Sequence, residues 1–320
     1  MHTGLKITAF AAALAATFGT AYGVGQGLDP VVADRAPAHD EQHAPSSPAA
    51  RESGGDAGHE TTPAGGLQIS EHGYTLDLKT PRVTAGQRAD LRFTVRDASG
   101  RPVTEYLREH DKELHLIVAS RDLLTYRHLH PVRAADGTWS TPVDLPRAGG
   151  YRVFADFTPA KKGAHDLTLG ADLAASGTYR PQELPRAGST ARVDGYEVQL
   201  TGGLRQGRAS ELRLTVSRDG KPVTDLQPYL GAYGHLVALR SGDLAYLHVH
   251  PHGEPGDGRT PSGPEVSFTA TAPSGGSYRL FLDFKHDGVV RTAAFTVPAG
   301  ESADVPDAST SEHSGGGHGH

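Results

Sequence analysis

The sequence predicts an all-β protein made of two tandem sandwich domains, and three observations carry that expectation. One passage occurs twice: His115-x12-His128-x-His130-Pro131, and then His235-x12-His248-x-His250-Pro251. Repeats of this length fix an architecture before any local reading does. Short apolar runs with period-two alternation, such as Leu91, Phe93, Val95 and Leu212, Leu214, Val216, follow one another between turn signals. No stretch of either copy carries a convincing helical period.

The flanks of the two passages agree as well. Pro102-Val103-Thr104 lies thirteen residues before His115, and Pro222-Val223-Thr224 lies thirteen before His235. Downstream, Gly150-Tyr151-Arg152-Val153-Phe154-Ala155-Asp156-Phe157 matches Ser277-Tyr278-Arg279-Leu280-Phe281-Leu282-Asp283-Phe284.

Taken in order, the chain opens with a short n-region carrying one lysine, and Ile7 to Gly25 then runs without a charge. Residues 1–27 are therefore expected to be a secretory signal or a retained N-terminal membrane anchor, and the run is long enough to leave both open. The remainder is expected outside the cytoplasm, secreted or held at the outer face of the membrane, with membrane contact only through this segment. Residues 28–66, rich in Ala, Pro, Gly and acidic side chains, read as a disordered linker. Residues 67–173 form repeat one, 174–188 a linker with two prolines and two glycines, 189–298 repeat two, and 299–320 a disordered tail containing histidines.

Within repeat one, strands are expected over Tyr74–Leu78, Ala89–Val95, Glu113–Ala119, Leu124–His130, Trp139–Val143, Tyr151–Phe157 and Ala164–Ala171. Asp97-Ala98-Ser99-Gly100 and Arg218-Asp219-Gly220 are matching turns. Seven or so strands in a unit of this size suggest an immunoglobulin-like sandwich. Trp139 and the aromatics at 151, 154, 157, 278, 281 and 284 read most simply as core.

Composition narrows the chemistry. Cysteine is absent and Met1 is the only methionine. There is thus no disulfide framework, and thiolate or thioether metal sites are excluded. Imidazole and carboxylate remain, suited to Cu(II), Zn(II) or Ni(II). A formal charge of −6 gives no footprint for nucleic-acid binding. Nucleophile elbows, phosphate-binding glycine loops and cysteine nucleophiles are missing, so no enzymatic activity is expected. His110 and His115 stand one residue too far apart for the His-Glu-x-x-His pattern.

Strand parity puts His128 and His130 on one face with Tyr126, and His248 and His250 on one face with Tyr246. A hairpin turning at Ser120 to Leu123, and at Ser241 to Asp243, would bring in His115 and His235. The expected metal ligands are His115, His128 and His130 with Asp156, and His235, His248 and His250 with Asp283, one site per repeat. Asp122 and Asp243 are second candidates for the carboxylate. The competing reading makes these histidines core polar groups of a structural or protein-interaction module. Seven of the seventeen positions from His115 to Pro131 match His235 to Pro251, and three of those seven are the histidines. His252, two residues after His250, would extend the second site but lies in a Gly/Pro-rich loop with no counterpart in repeat one, and His165 and His286 near strand ends are expected to be solvated.

The run Leu114-His115-Leu116-Ile117-Val118, Asp122-Leu123, His128-Leu129-His130-Pro131 and Gly149-Gly150-Tyr151-Arg152-Val153-Phe154-Ala155-Asp156-Phe157 resembles a family of secreted or membrane-anchored actinobacterial proteins. The single units are also distantly similar to the extracytoplasmic immunoglobulin-like domains of copper-handling proteins, the CopC-like and YtkA-like groups. That resemblance implies a transition metal cofactor, Cu(II) ahead of Zn(II), and an envelope metal transporter or chaperone as partner. The chain departs from the CopC pattern in lacking methionine ligands and a histidine at a mature N-terminus, so that site does not carry over.

Overall fold

A computed structural model describes residues 64–300, apart from His248 and the side chain of His250. The expected signal or anchor (1–27), positions 28–63 of the spacer and positions 301–320 of the tail lie outside the described residues. No helix is present among the described residues, and none is long and apolar enough to cross a membrane.

Repeat one runs β1 (Ser70–Glu71), β2 (Tyr74–Leu78), β3 (Arg82–Thr84), β4 (Arg88–Arg96), β5 (His115–Ser120), β6 (Tyr126–Leu129), β7 (Val132–Arg133), β8 (Thr138–Asp144), β9 (Gly149–Phe157) and β10 (Leu167–Ser176). These form two sheets, β1-β2-β4-β8-β7 and β3-β10-β9-β5-β6. Repeat two runs β11 (Thr190–Val193), β12 (Tyr196–Thr201), β13 (Ala209–Arg218), β14 (Lys221–Pro222), β15 (Gly234–Arg240), β16 (Tyr246–Leu247), β17 (Val249–Pro251), β18 (Glu265–Thr271), β19 (Gly276–His286) and β20 (Val289–Ala299). Its sheets are β11-β12-β13-β18-β17, with β14 on β13, and β16-β15-β19-β20. The chain is an all-β protein of two tandem sandwiches. The seven strands expected in repeat one are all present, β2 with the expected ends and the other six with shifted ones; β1, β3 and β7 are two or three residues long, too short for a period to show.

Each sandwich has its own core, because one face of every sheet is apolar. Leu91, Phe93 and Val95 of β4 are fully buried against Leu116, Val118, Tyr151 and Val153, and Leu212, Leu214 and Val216 of β13 do the same in repeat two. Strand β13 keeps the clean alternation of a sheet with one wet face. Strand β5 does not: all six of its residues are buried. Its second face carries a third core lying between the repeats.

That third core contains Ile117, Ala119, Leu123, Tyr126 and Phe154 from repeat one, and Val237, Leu239, Leu244, Tyr246 and Phe281 from repeat two. The contributions correspond pair by pair, so the two repeats meet through the same face of the same sheet, as in an isologous dimer. Tyr126 stacks on Phe281 with ring centres 4.2 Å apart and planes 7° apart, while Phe154 meets Tyr246 at 5.7 Å. Phe154 and Phe281 are core residues, as expected, but of this shared layer.

The connecting segments reinforce the contact. Gly65 O accepts from Tyr246 N (2.9 Å) and Gly66 N donates to Thr168 O (2.7 Å), so the stretch ahead of β1 bridges both repeats. Gly170 lets it lie flat, since a Cβ there would sit 2.0 Å from Gly66 O. Leu184, in the segment between the repeats, packs on the shared core.

Phe281→Ala removes the ring that Tyr126 stacks on and should cost about 3–5 kcal/mol. Calorimetry of the full chain is expected to show a single transition splitting into two as the repeats uncouple. An unsplit, unshifted transition would contradict this account of the interface.

Candidate metal centre

Strands β5 and β6 pair antiparallel, with Leu116 opposite Leu129 and Ile117 opposite His128. The turn between them is closed by side chains: Ser120 Oγ donates to Asp122 Oδ1 (2.6 Å), and Asp122 pairs with Arg147 (2.8 Å). In repeat two, Asp243 accepts from Ala245 N (3.1 Å) and pairs with Arg240. Both second-choice carboxylates are therefore engaged in turns. Beyond Leu129 the chain leaves one sheet for the other, since β7 pairs with β8. Pro131, which has no N–H to offer a ladder, stands at that crossing. His128 and His130 thus sit where the chain changes sheets.

The structure brings His115, His128 and His130 together. One nitrogen from each lies within 4.8 Å of the others. Ring centres are 5.4 Å apart for His115–His128, 5.8 Å for His115–His130 and 4.9 Å for His128–His130. Imidazoles sharing an ion at about 2.0–2.1 Å, at tetrahedral to trigonal angles, have centres roughly 5–6 Å apart.

The outer nitrogens of two rings are fixed. His115 Nε2 lies 3.1 Å from the carbonyl of Glu109, which only accepts, so Nε2 donates. His128 Nδ1 donates to Asp283 Oδ2 at 2.9 Å. In neutral rings the remaining nitrogens, His115 Nδ1 and His128 Nε2, then both carry lone pairs, and they face each other at 3.2 Å. Beside them, buried His130 Nε2 has no hydrogen-bond partner. Three imidazole nitrogens thus gather within 4.8 Å of one another, an arrangement a cation would satisfy.

The carboxylate behind this triad comes from the other repeat. Asp283, 2% exposed, accepts from Thr292 Oγ1 (2.6 Å), Tyr126 OH (3.4 Å) and His128 Nδ1. Asp156, proposed from sequence for this site, is the register partner of His115, yet its carboxylate accepts from Thr168 Oγ1 (2.8 Å) and from Tyr246 OH (3.4 Å) of repeat two. Each tyrosine reaches the aspartate of the opposite repeat. The one-site-per-repeat arrangement is corrected on this point. In the shared layer β6 faces β19 of the other repeat, so Asp283 comes to His128.

Of the second set, His235 Nε2 donates to Leu230 O (2.8 Å), as His115 does to Glu109 O. The backbone of His250 pairs with Thr269 in the other sheet. His248 lies outside the described residues.

Two members of the cluster were missed from sequence. His110 has its ring 5.0 Å from His235 and 6.1 Å from His115. Tyr229 lies 6.0 Å from both His130 and His235. The zincin pattern was the wrong template for His110; the useful signal was its position on a turn equivalent to Leu230-Gly231, close to a histidine already singled out. His235 lies 6.0 Å from both His115 and His128, so the cluster spans the repeats. A cavity of about 140 Å³ is lined by His110, His115, His128 and His235. His165 and His252 are exposed. His286 is not solvated: it is 8% exposed, with Nδ1 on Tyr196 OH (2.7 Å) and Nε2 on Asp225 (3.0 Å).

Burial holds His115, His130 and His235 down to about 3, with the neighbouring imidazoles adding to the effect, so all three are neutral at physiological pH. The unfolded chain, near 6.5 at each position, binds more protons between those limits. Stability from neutral His115 and His235 is therefore complete above about pH 6.5 and declines as pH falls toward 3, by about 1.4 kcal/mol per unit for each ring. Denaturant unfolding from pH 7.5 to 4 should show this slope, reduced by about one proton in His235→Gln. An equal slope in that variant would refute the assignment.

No curated protein matches the chain. Among solved structures, it is similar to the Escherichia coli adhesin FdeC (16% identity, TM-score 0.23, covering 72% of this chain and 65% of that one). It is also similar to InvD of Yersinia pseudotuberculosis (13%, TM-score 0.23, 72% and 58%) and to invasin, a bacterial integrin-binding protein (15%, TM-score 0.21, 73% and 40%). The chain thus spans less than two thirds of each of these structures. A family model matches twice, over residues 69–172 and 191–301, once on each sandwich. The chain belongs to the family described as "Domain of unknown function (DUF8832)".

Proposed function

We propose that this chain is a non-catalytic, extracytoplasmic protein that binds a divalent transition metal ion through His115, His128 and His130. The observation that carries the reading is the close approach of His115 Nδ1 and His128 Nε2 at 3.2 Å, beside the unpartnered His130 Nε2. Nitrogens bound to one ion at about 2.0–2.1 Å stand roughly 3.3 Å apart. A carboxylate donor-acceptor link behind a ligating histidine fixes its tautomer and raises its basicity, and Asp283 stands in that place behind His128. Imidazole donors suit Zn(II), Cu(II) and Ni(II), and the general affinity order favours Cu(II) over Zn(II). The uncharged run of residues 7–25 supports placement outside the cytoplasm, where an envelope transporter or chaperone would exchange the ion. His235, His248 and His250 repeat the spacing of the first set.

A second reading has its own observation. The His128–Asp283 bond links the repeats, side chains 5% and 3% exposed, as expected of a rigid structural or interaction module whose histidines are polar core.

Calorimetric titration of the full chain with Cu(II) and with Zn(II), in excess glycine to suppress loose binding by the tails, separates the two. Metal binding predicts a tight equivalent that disappears in His128→Ala with His130→Ala, and an affinity about 10–100-fold weaker in Asp283→Asn. Absence of any tight equivalent in the unaltered chain, with a lowered Tm in the histidine variants, would leave the structural reading standing.

A further inference from the structure

We infer a second cation position at the mouth of the cluster, held by His110 of repeat one and His235 of repeat two; it rests on the metal reading of the neighbouring triad. The ring centres of His110 and His235 are 5.0 Å apart, at 89°, within the roughly 5–6 Å that a shared ion at about 2.0–2.1 Å imposes. His235 is oriented as a ligand: its Nε2 is engaged by Leu230 O, which leaves Nδ1 as the lone-pair nitrogen of the neutral ring. His110 is exposed and held by an unusual backbone. It and Asp111 have φ of 49° and 65° inside the Glu109–Lys112 bridge, positions that Asn, Asp and Gly usually occupy.

The opposing repeat supplies the other half of the mouth. Leu230 and Gly231, at φ of 55° and 71° inside the Tyr229–Ala232 bridge, form the equivalent turn. The two turns touch: a Cβ on Gly231 would lie 3.6 Å from His110 Cα. A metal ion arriving from solvent therefore meets an imidazole from each repeat before it reaches the triad. His115 stands between the two positions, 6.1 Å from His110 and 6.0 Å from His235. The ligand class is a borderline divalent cation, Cu(II) or Zn(II), bound by two imidazoles and water, more weakly than at three imidazoles. The position serves as the receiving end of the site.

Electron paramagnetic resonance of the full chain, loaded with one and then two equivalents of Cu(II) in competing glycine, tests this. The first equivalent should give an isolated nitrogen-coordinated signal. The second should add a half-field signal from two coupled ions. His110→Asn, which keeps a residue at ease with positive φ, should retain the first signal, lose the half-field signal and weaken the second equivalent at least tenfold. A first equivalent without coupling at the second, or coupling that persists in His110→Asn, would overturn the second position while leaving the triad intact. Loss of both signals from the unaltered chain would overturn the triad reading and this one with it.

Discussion

Everything specific to this molecule depends on the face that the two sandwiches share. A sheet in a lone sandwich has one dry side and one wet side. Here the outer sides of β5-β6-β9 and β15-β16-β19 are apolar too, and each is stable only against its counterpart. Ile117, Ala119 and Phe154 would otherwise expose a contiguous apolar patch. The flat stacking of Tyr126 on Phe281 at 4.2 Å fixes how the sheets are registered against each other.

That registration decides the polar chemistry at the edge of the layer. The Tyr126 hydroxyl reaches past Phe281 to Asp283, and Asp283 in turn orients His128. A buried carboxylate is tolerable only when its oxygens are met by donors, and the donors here come from both repeats. The histidines therefore sit at the junction of an apolar interface and a solvent-facing cavity. Desolvation keeps His115, His130 and His235 neutral, and the outward bonds of His115 Nε2 and His128 Nδ1 turn the opposite ring nitrogens inward. Two ring nitrogens 3.2 Å apart beside a third that has no partner are the physical basis for reading the cluster as a binding site.

Much of the fold was legible. Period-two alternation in β4 and β13 located the dry faces, and the duplication fixed two copies of one unit. The hairpin bringing His115 beside His128 followed from strand parity and a short turn. Leu114-His115-Leu116-Ile117-Val118-Ala119 carries a further signal: a strand with no polar alternation announces burial on both faces. Recognising that would have placed Phe154 and Phe281 between the repeats. His286 was misjudged because its partners, Tyr196 and Asp225, are distant in sequence. His110 was passed over because its neighbours come from two turns that meet only in space.

The sequence by itself determined the β class, the two equivalent units, the sulfur-free donor set and the clustering of His115, His128 and His130, because each follows from local periodicity or from spacing within one hairpin. Only the tertiary structure decided that Asp283 rather than Asp156 stands behind His128, and that His110 and His235 face one another. Those pairings depend on how two equivalent surfaces rotate onto each other. That rotation is set by side-chain packing between residues distant in sequence, which no local pattern encodes.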